Sequence, residues 1–146
     1  MTVPGPEAPI NATRFVVSLE GVELAFSELV EISSEIDPLT DTTTTAGAPA
    51  PTKQFGQTLP PKVTLRRGVD SNTYIWTWHM AAVEGDPAAR KTCSLLLQDA
   101  AGQTLLTFVL ENAWPSSVDI TGPQPGQPIL METDAFTCDS IVMQPG

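Results

Sequence analysis

Gln103–Pro115, QTLLTFVLENAWP, is the stretch from which the architecture can be read. Leu106, Phe108 and Leu110 alternate with Leu105, Thr107 and Val109, giving one apolar and one mixed face. A period of two built from β-branched and aromatic residues is a strand pattern. Working back, Ala100-Ala101-Gly102 reads as a turn and Cys93–Gln98, CSLLLQ, as a second strand. The pair makes a β-hairpin with a short glycine-containing loop. Working forward, Pro115 has no amide to donate and holds Trp114 extended. The strand is therefore expected to stop there, with a large ring at its end. Trp114 reads as a core or corner residue, and a ligand-stacking ring is the alternative.

At 146 residues the chain is expected to form one domain, large enough to bury roughly 70% of its unfolded surface. With 17 acidic against 7 basic residues the net charge is −10, which argues against a surface for nucleic acid. The opening MTVPGPEAPI lacks the basic start and apolar run of a secretory signal. No apolar run is long enough to cross a bilayer, so no membrane anchor is expected. The protein is expected to be made and assembled in the cytoplasm. Cys93 and Cys138 lie on strand patterns without Cys-x-x-Cys spacing and read as buried thiols, not as a metal site; a disulfide is the alternative, unneeded at this size.

Residues 1–13 hold three prolines and read as an N-terminal arm ahead of a single domain over 14–146. Arg14–Leu19 is a first strand, turned by Glu20-Gly21. A long second strand is expected from about Val22 to Asp37. In it Phe26, Val30, Ile32 and Ile36 form the packed row, and Ser27, Glu31, Ser33 and Glu35 the hydrated one. Glu28 and Leu29 break the alternation, as a β-bulge would. Residues 38–61 are rich in Thr, Pro and Ala without a period, and read as a long loop, mobile in the monomer or ordered against a neighbour. Lys62–Arg67 resumes as a strand ending at Gly68.

Ser71–Gly85 is the one helix pattern, capped by Ser71 or Asn72 and ended by Gly85. Ile75, Trp78 and Ala82 share its buried face, while Trp76 and Met80 lie to one side where a partner can cover them. His79, the only histidine, reads as a surface or hydrogen-bonded residue. Gln127–Thr133 and Ala135–Gln144 read as closing strands. Six or seven strands to one helix, without βαβ alternation, describe a mainly β fold: an antiparallel sandwich or barrel with one flanking helix.

No chemistry stands out. His79 has no nucleophile placed beside it, and there is no phosphate loop, HExxH or Gly-x-Ser-x-Gly motif. No catalytic residue, metal or cofactor is assigned.

The order of features carries more. FVVSLEGVELAFSELVEI is followed by a long polar loop, VTLRRG, a helix with Trp78, GDPAARKTCSLLLQDAAG, and FVLENAWP. This succession resembles the tail tube family of contractile phage tails and contractile injection systems, from about Arg14 to Met143. Its most specific parts are Val63–Gly68 with Arg67 and Gly68, then Trp78, the turn ending at Gly102, and Asn112-Ala113-Trp114-Pro115. Two departures are Val30-Glu31-Ile32 after Phe-Ser-Glu, and Thr137–Ser140 in place of a Glu-rich strand.

The resemblance implies a hexameric ring with a shared inner β-barrel, stacked into a hollow tube inside a contractile sheath. Its implied partners are copies of itself, the sheath protein, baseplate and tube-terminating proteins, and cargo in the lumen, with no sequence-specific nucleic acid. Ser27, Glu31, Ser33 and Glu35 are the expected lumen-facing residues. Two other roles remain open: a carbohydrate- or peptide-binding β-sandwich using the three tryptophans, and a ring that starts or ends the tube.

Overall fold

Leu19 and Val22 face each other across Glu20-Gly21, so the first two strands, β1 (Arg14–Leu19) and β2 (Val22–Phe26), close through a two-residue turn. Both turn residues have positive φ, 50° and 75°, the mirror-image geometry that follows the twist of a hairpin. The computed structural model from which these features are taken describes residues 8–41 and 52–146. The remaining elements are β3 (Glu28–Asp41), β4 (Thr52–Gly68), α1 (Tyr74–Val83), a 3-10 turn at Pro87–Ala89, β5 (Lys91–Gln98), β6 (Thr104–Thr121), β7 (Met131–Thr137) and β8 (Ser140–Pro145).

All pairing is antiparallel, and β6 belongs to two sheets. Its first half lies between β5 and β8, giving an outer sheet ordered β2-β1-β5-β6-β8. Its second half pairs with β7, giving an inner sheet ordered β6-β7-β4-β3. The change of sheet happens at Asn112. That residue takes φ 51°, sits in a register shift opposite Thr92, and donates its side-chain amide to Asp139 Oδ2 at 2.9 Å. An asparagine tolerates the left-handed region better than most residues, so the bulge bends the strand here at low cost.

The strand does not stop at Pro115, as its missing amide led one to expect. It runs on to Thr121, with a second register shift between Pro115 and Ser117. Beyond Asn112 the strand is an outer strand of its sheet, and there a proline breaks no ladder bond.

Two further expectations change. The long second strand is two, broken at Ser27, where the chain steps from the outer to the inner sheet. Ser27 N–H and its hydroxyl both donate to Arg66 O, at 3.0 and 3.1 Å. The anticipated bulge near Leu29 is present as a register shift between Leu29 and Glu31. The loop expected over 38–61 is strand at both ends, β3 reaching Asp41 and β4 starting at Thr52. Residues 42–51 of it, and 1–7 of the N-terminal arm, lie outside the described residues.

Between the sheets Val17, Leu19, Leu24, Phe26, Val63, Leu65, Cys93, Leu95, Leu110 and Phe136 form the core. Helix α1 adds Ile75 and Trp78 and packs against β6. Trp78 meets Phe136 at 5.6 Å between ring centroids, and its indole N–H donates to Ala89 O at 2.6 Å. Burying a ring of this size contributes on the order of 3 kcal/mol, and the hydrogen bond keeps its polar edge satisfied. The helix starts later than expected, at Tyr74, and its N-cap is Thr73, not Ser71 or Asn72, with no side-chain cap bond. Asn72 Oδ1, one residue earlier, accepts from Tyr74 N–H at 3.0 Å. Gly85, at φ 76°, ends the helix in the conformation a glycine adopts without strain.

Candidate assembly surfaces

The inner sheet has a core side and a far side, and antiparallel register fixes which residues share each. On the far side Glu28, Arg66, Thr133 and Asp119 form one row across four strands; Glu31, Thr64, Ala135 and Ser117 form the next. Ser33, Lys62 and Thr137 continue the pattern. Arg66 bonds both Glu28, at 3.1 Å, and Thr133 Oγ1, at 3.3 Å. Three of the four residues singled out in sequence, Glu31, Ser33 and Glu35, are therefore β3 residues, the first two on this far face. Ser27 sits apart at the step between sheets. The face is less acidic than β3 alone indicates, because Lys62 and Arg66 stand in the same rows, a contribution only the pairing reveals.

Among the described residues this sheet has two unlike free edges. One is β3. The other is the second half of β6, since β7 occupies only one of its sides. An uncovered edge presents unpaired N–H and C=O groups to any strand that approaches. Beyond Lys62, β3 and β4 pair only with each other, out to Asp41 and Thr52, as a two-stranded ribbon. The ribbon leaves Ile36, Phe55 and Leu59 exposed, Phe55 at 91%. A lone two-stranded ribbon is marginal in water, so these side chains call for a cover.

The motif residues act in support. Arg67 is 7% exposed and lies between Glu132 at 2.8 Å and Asp70 at 3.2 Å, also donating to Asn72 O. Burial opposes its charge, and the Glu132, Asp70 and Asp134 carboxylates outweigh that and hold its pKa above the usual value. Gly68 packs against Ile129, 3.6 Å from where a side chain would start. Gly102, φ 86°, completes a turn in which Asp99 Oδ1 accepts from Ala101 and Gln103 N–H. Trp114 is half-buried beneath the Arg90 guanidinium, 4.7 Å from its ring centroid. His79 Nδ1 lies 2.7 Å from Pro115 O and ties α1 to β6 where the free edge begins.

One buried group went unnoticed in the sequence. Asp134 is fully buried, and neither carboxyl oxygen has a hydrogen-bond donor. Burial pushes its pKa up to about 9, and the neighbouring Glu132 adds to the rise. The signal was available: Glu132 and Asp134 share the parity of Phe136 on an otherwise apolar face. Cys93 and Cys138 are buried thiols, as expected. Burial raises them to about 12 and about 11.

The T4-like virus tail tube protein gp19 family matches residues 11–124. Similar folds include the tube-terminating cap of the anti-feeding prophage, with TM-score 0.77 and 21% identity over 99% of this chain and 97% of that one. The sheath/tube terminator of the extracellular contractile injection system PVC, in its extended state, gives 0.76 and 24% over 96% and 99%. The sheath-tube complex of the same system gives 0.72 and 25% over 96% and 94%. No curated protein sequence matches the chain. Among the described residues no helix is long and apolar enough to cross a membrane.

Proposed function

The chain belongs to the T4-like virus tail tube protein gp19 family, and from that premise we infer that it is the repeating unit of the inner tube in a contractile phage tail or injection system. The observation that carries this reading is the pair of unlike free edges on a four-stranded sheet. Strands alternate in direction across that sheet, so the β6 edge of one copy and the β3 edge of the next are antiparallel when copies stand side by side. Six copies related by rotation close the sheet into a barrel and remove every edge.

The far face then lines the lumen. Glu31 and Ser33 lie on its wall, Glu35 at the base of the ribbon, and Ser27 at the rim. Excess negative charge there repels acidic cargo within about 8 Å, the screening length in physiological salt. The exposed ribbon reaches the adjoining ring and makes stacking head-to-tail, which does not close and so builds a tube. The sheath holds the outer surface, and baseplate and terminating proteins bound the two ends. The work is mechanical, with a stiff wall in place of a reacting centre.

Negative-stain microscopy of the purified protein tests this. Rings with a central hole, alone or stacked, are the expected result. A monomer at every concentration and salt tried would overturn it, and rings that never stack would mark a terminating ring.

A further inference from the structure

Helix α1 carries an apolar stripe that no other described residue of the chain covers. Trp76, Met80 and Val83, spaced i, i+4 and i+7, are 48%, 37% and 63% exposed. Residues at that spacing lie on one helical face. The face opposite, with Ile75 and Trp78, is spent on the core. The position of the stripe is fixed: His79 Nδ1 against Pro115 O sets the helix beside the free β6 edge, at the level of Trp114.

At the other edge of the same sheet is a groove of about 550 Å3, lined by Ser34, Ile36, Leu59, Pro61 and Ile141 among others. It forms because β8 leaves with the outer sheet while the β3–β4 ribbon continues on its own. One wall is thus the ribbon and the other the start of β8. Ile36, 48% exposed, and Leu59 give it an apolar floor.

Helix and groove lie at adjoining levels of the sheet. Lys62 pairs with both Ser33 and Thr137, and Thr137 with Trp114, which makes one level across the sheet. The helix lies at the Trp114 end of that level. The groove, at 34–36, 58–61 and 138–141, begins just past its other end. Joining β6 of one copy to β3 of the next therefore brings the two to the same seam. The outward stripe and the apolar floor of the groove, whose rim also carries Glu35 and Asp139, then lie on the two sides of one seam.

We propose that the Trp76–Met80–Val83 stripe of each copy packs into the Ile36–Leu59–Ile141 groove of its neighbour in the same ring, as a second, apolar layer behind the backbone pairing of the seam. This rests on the ring assembly proposed above. The occupant is a second copy of this chain. Backbone pairing alone is indifferent to side chains, so this layer supplies the preference for the right edge.

The test compares wild type with Trp76→Glu and Trp76→Phe. Because Trp76 is half-exposed in the free subunit, near-ultraviolet circular dichroism of the glutamate variant should keep the signature of the buried Trp78. Trp76→Glu should weaken ring formation at least about tenfold by native mass spectrometry, as loss of a central aromatic anchor does, whereas Trp76→Phe assembles. In wild-type rings, acrylamide quenching of the Trp76 component, taken as the difference from Trp76→Phe, should fall by about half or more relative to the free subunit. A Met80→Cys, Ile36→Cys double variant should give oxidised ladders up to the closed ring, and neither single variant should. Rings that form equally with Trp76→Glu, or that leave Trp76 as quenchable as in the monomer, overturn the inference while the tube reading stands. Protection seen only in stacked tubes, or only with sheath protein added, assigns the stripe to another occupant and also overturns it. If wild type forms no rings, the tube reading fails and this inference falls with it.

Discussion

Replacing Asp134 with asparagine should stabilise the subunit, increasingly so as pH rises. The carboxyl is fully buried without a donor, beside Glu132 and behind Val118 on β6, with Arg67 already committed to Glu132. Glu132, Arg67 and, more distantly, Asp119 are the charges it meets. Its folded pKa is about 9, against 3.8 for an ordinary aspartate. Since the folded value is raised, the stability linked to this group is whole below about pH 4 and is lost as pH climbs towards 9. Each unit in that window costs about 1.4 kcal/mol, or about 4 kcal/mol by pH 7. That is large beside a typical stability of about 5–15 kcal/mol. An amide has the same shape, does not ionise, and can donate to Glu132. Asp134→Asn should raise the unfolding temperature of the free subunit by roughly 10 °C at pH 7 and by more at pH 9, with little gain at pH 4. Tryptophan fluorescence melts at the three pH values measure this. A variant that melts no higher than wild type at pH 9, or with the same offset at pH 4 and 9, would refute the reasoning.

Other outcomes follow from neighbouring features. Arg67→Met should cost roughly 3–5 kcal/mol in urea titrations, because Glu132 is left buried without its cation. The Arg67→Met, Glu132→Gln, Asp134→Asn triple variant should recover most of it. Asn112→Val should cost about 1–2 kcal/mol for placing a β-branched residue at φ 51°, and Asn112→Gly should be tolerated within about 1 kcal/mol. Lysine at Glu31 and Glu35 should leave ring assembly intact in negative stain while changing the uptake of charged probes into the tube. Failure to assemble would count against a lumen position for these residues.

Much of the architecture was legible because most strands bury one face: Cys93, Leu95 and Leu97 alternate with half-buried partners, and the helix shows its Ile75–Trp78 face. The ribbon was not legible. Its side chains from Leu59 back to Phe55 face solvent or a neighbour, so nothing in the single chain imposes a period of two. Pro115 misled for a related reason: whether a missing amide ends a strand depends on whether that side of the strand has a partner. The assembly surfaces were half visible. Trp76 and Met80 could be set aside as unburied from helical spacing alone. Lys62 and Arg66 could not be placed beside Ser33 and Glu28 without the register of β4.

The inner sheet of each subunit has an even number of strands, two pointing each way. In the proposed ring every seam would then be antiparallel however many copies there are, and five or seven copies would satisfy the backbone as fully as six. Hydrogen bonding does not count subunits. In the proposed ring the bore would be set by the angle at which successive sheets meet, and the element nearest that hinge would be helix α1. Changes in its bulk should alter diameter before they abolish closure.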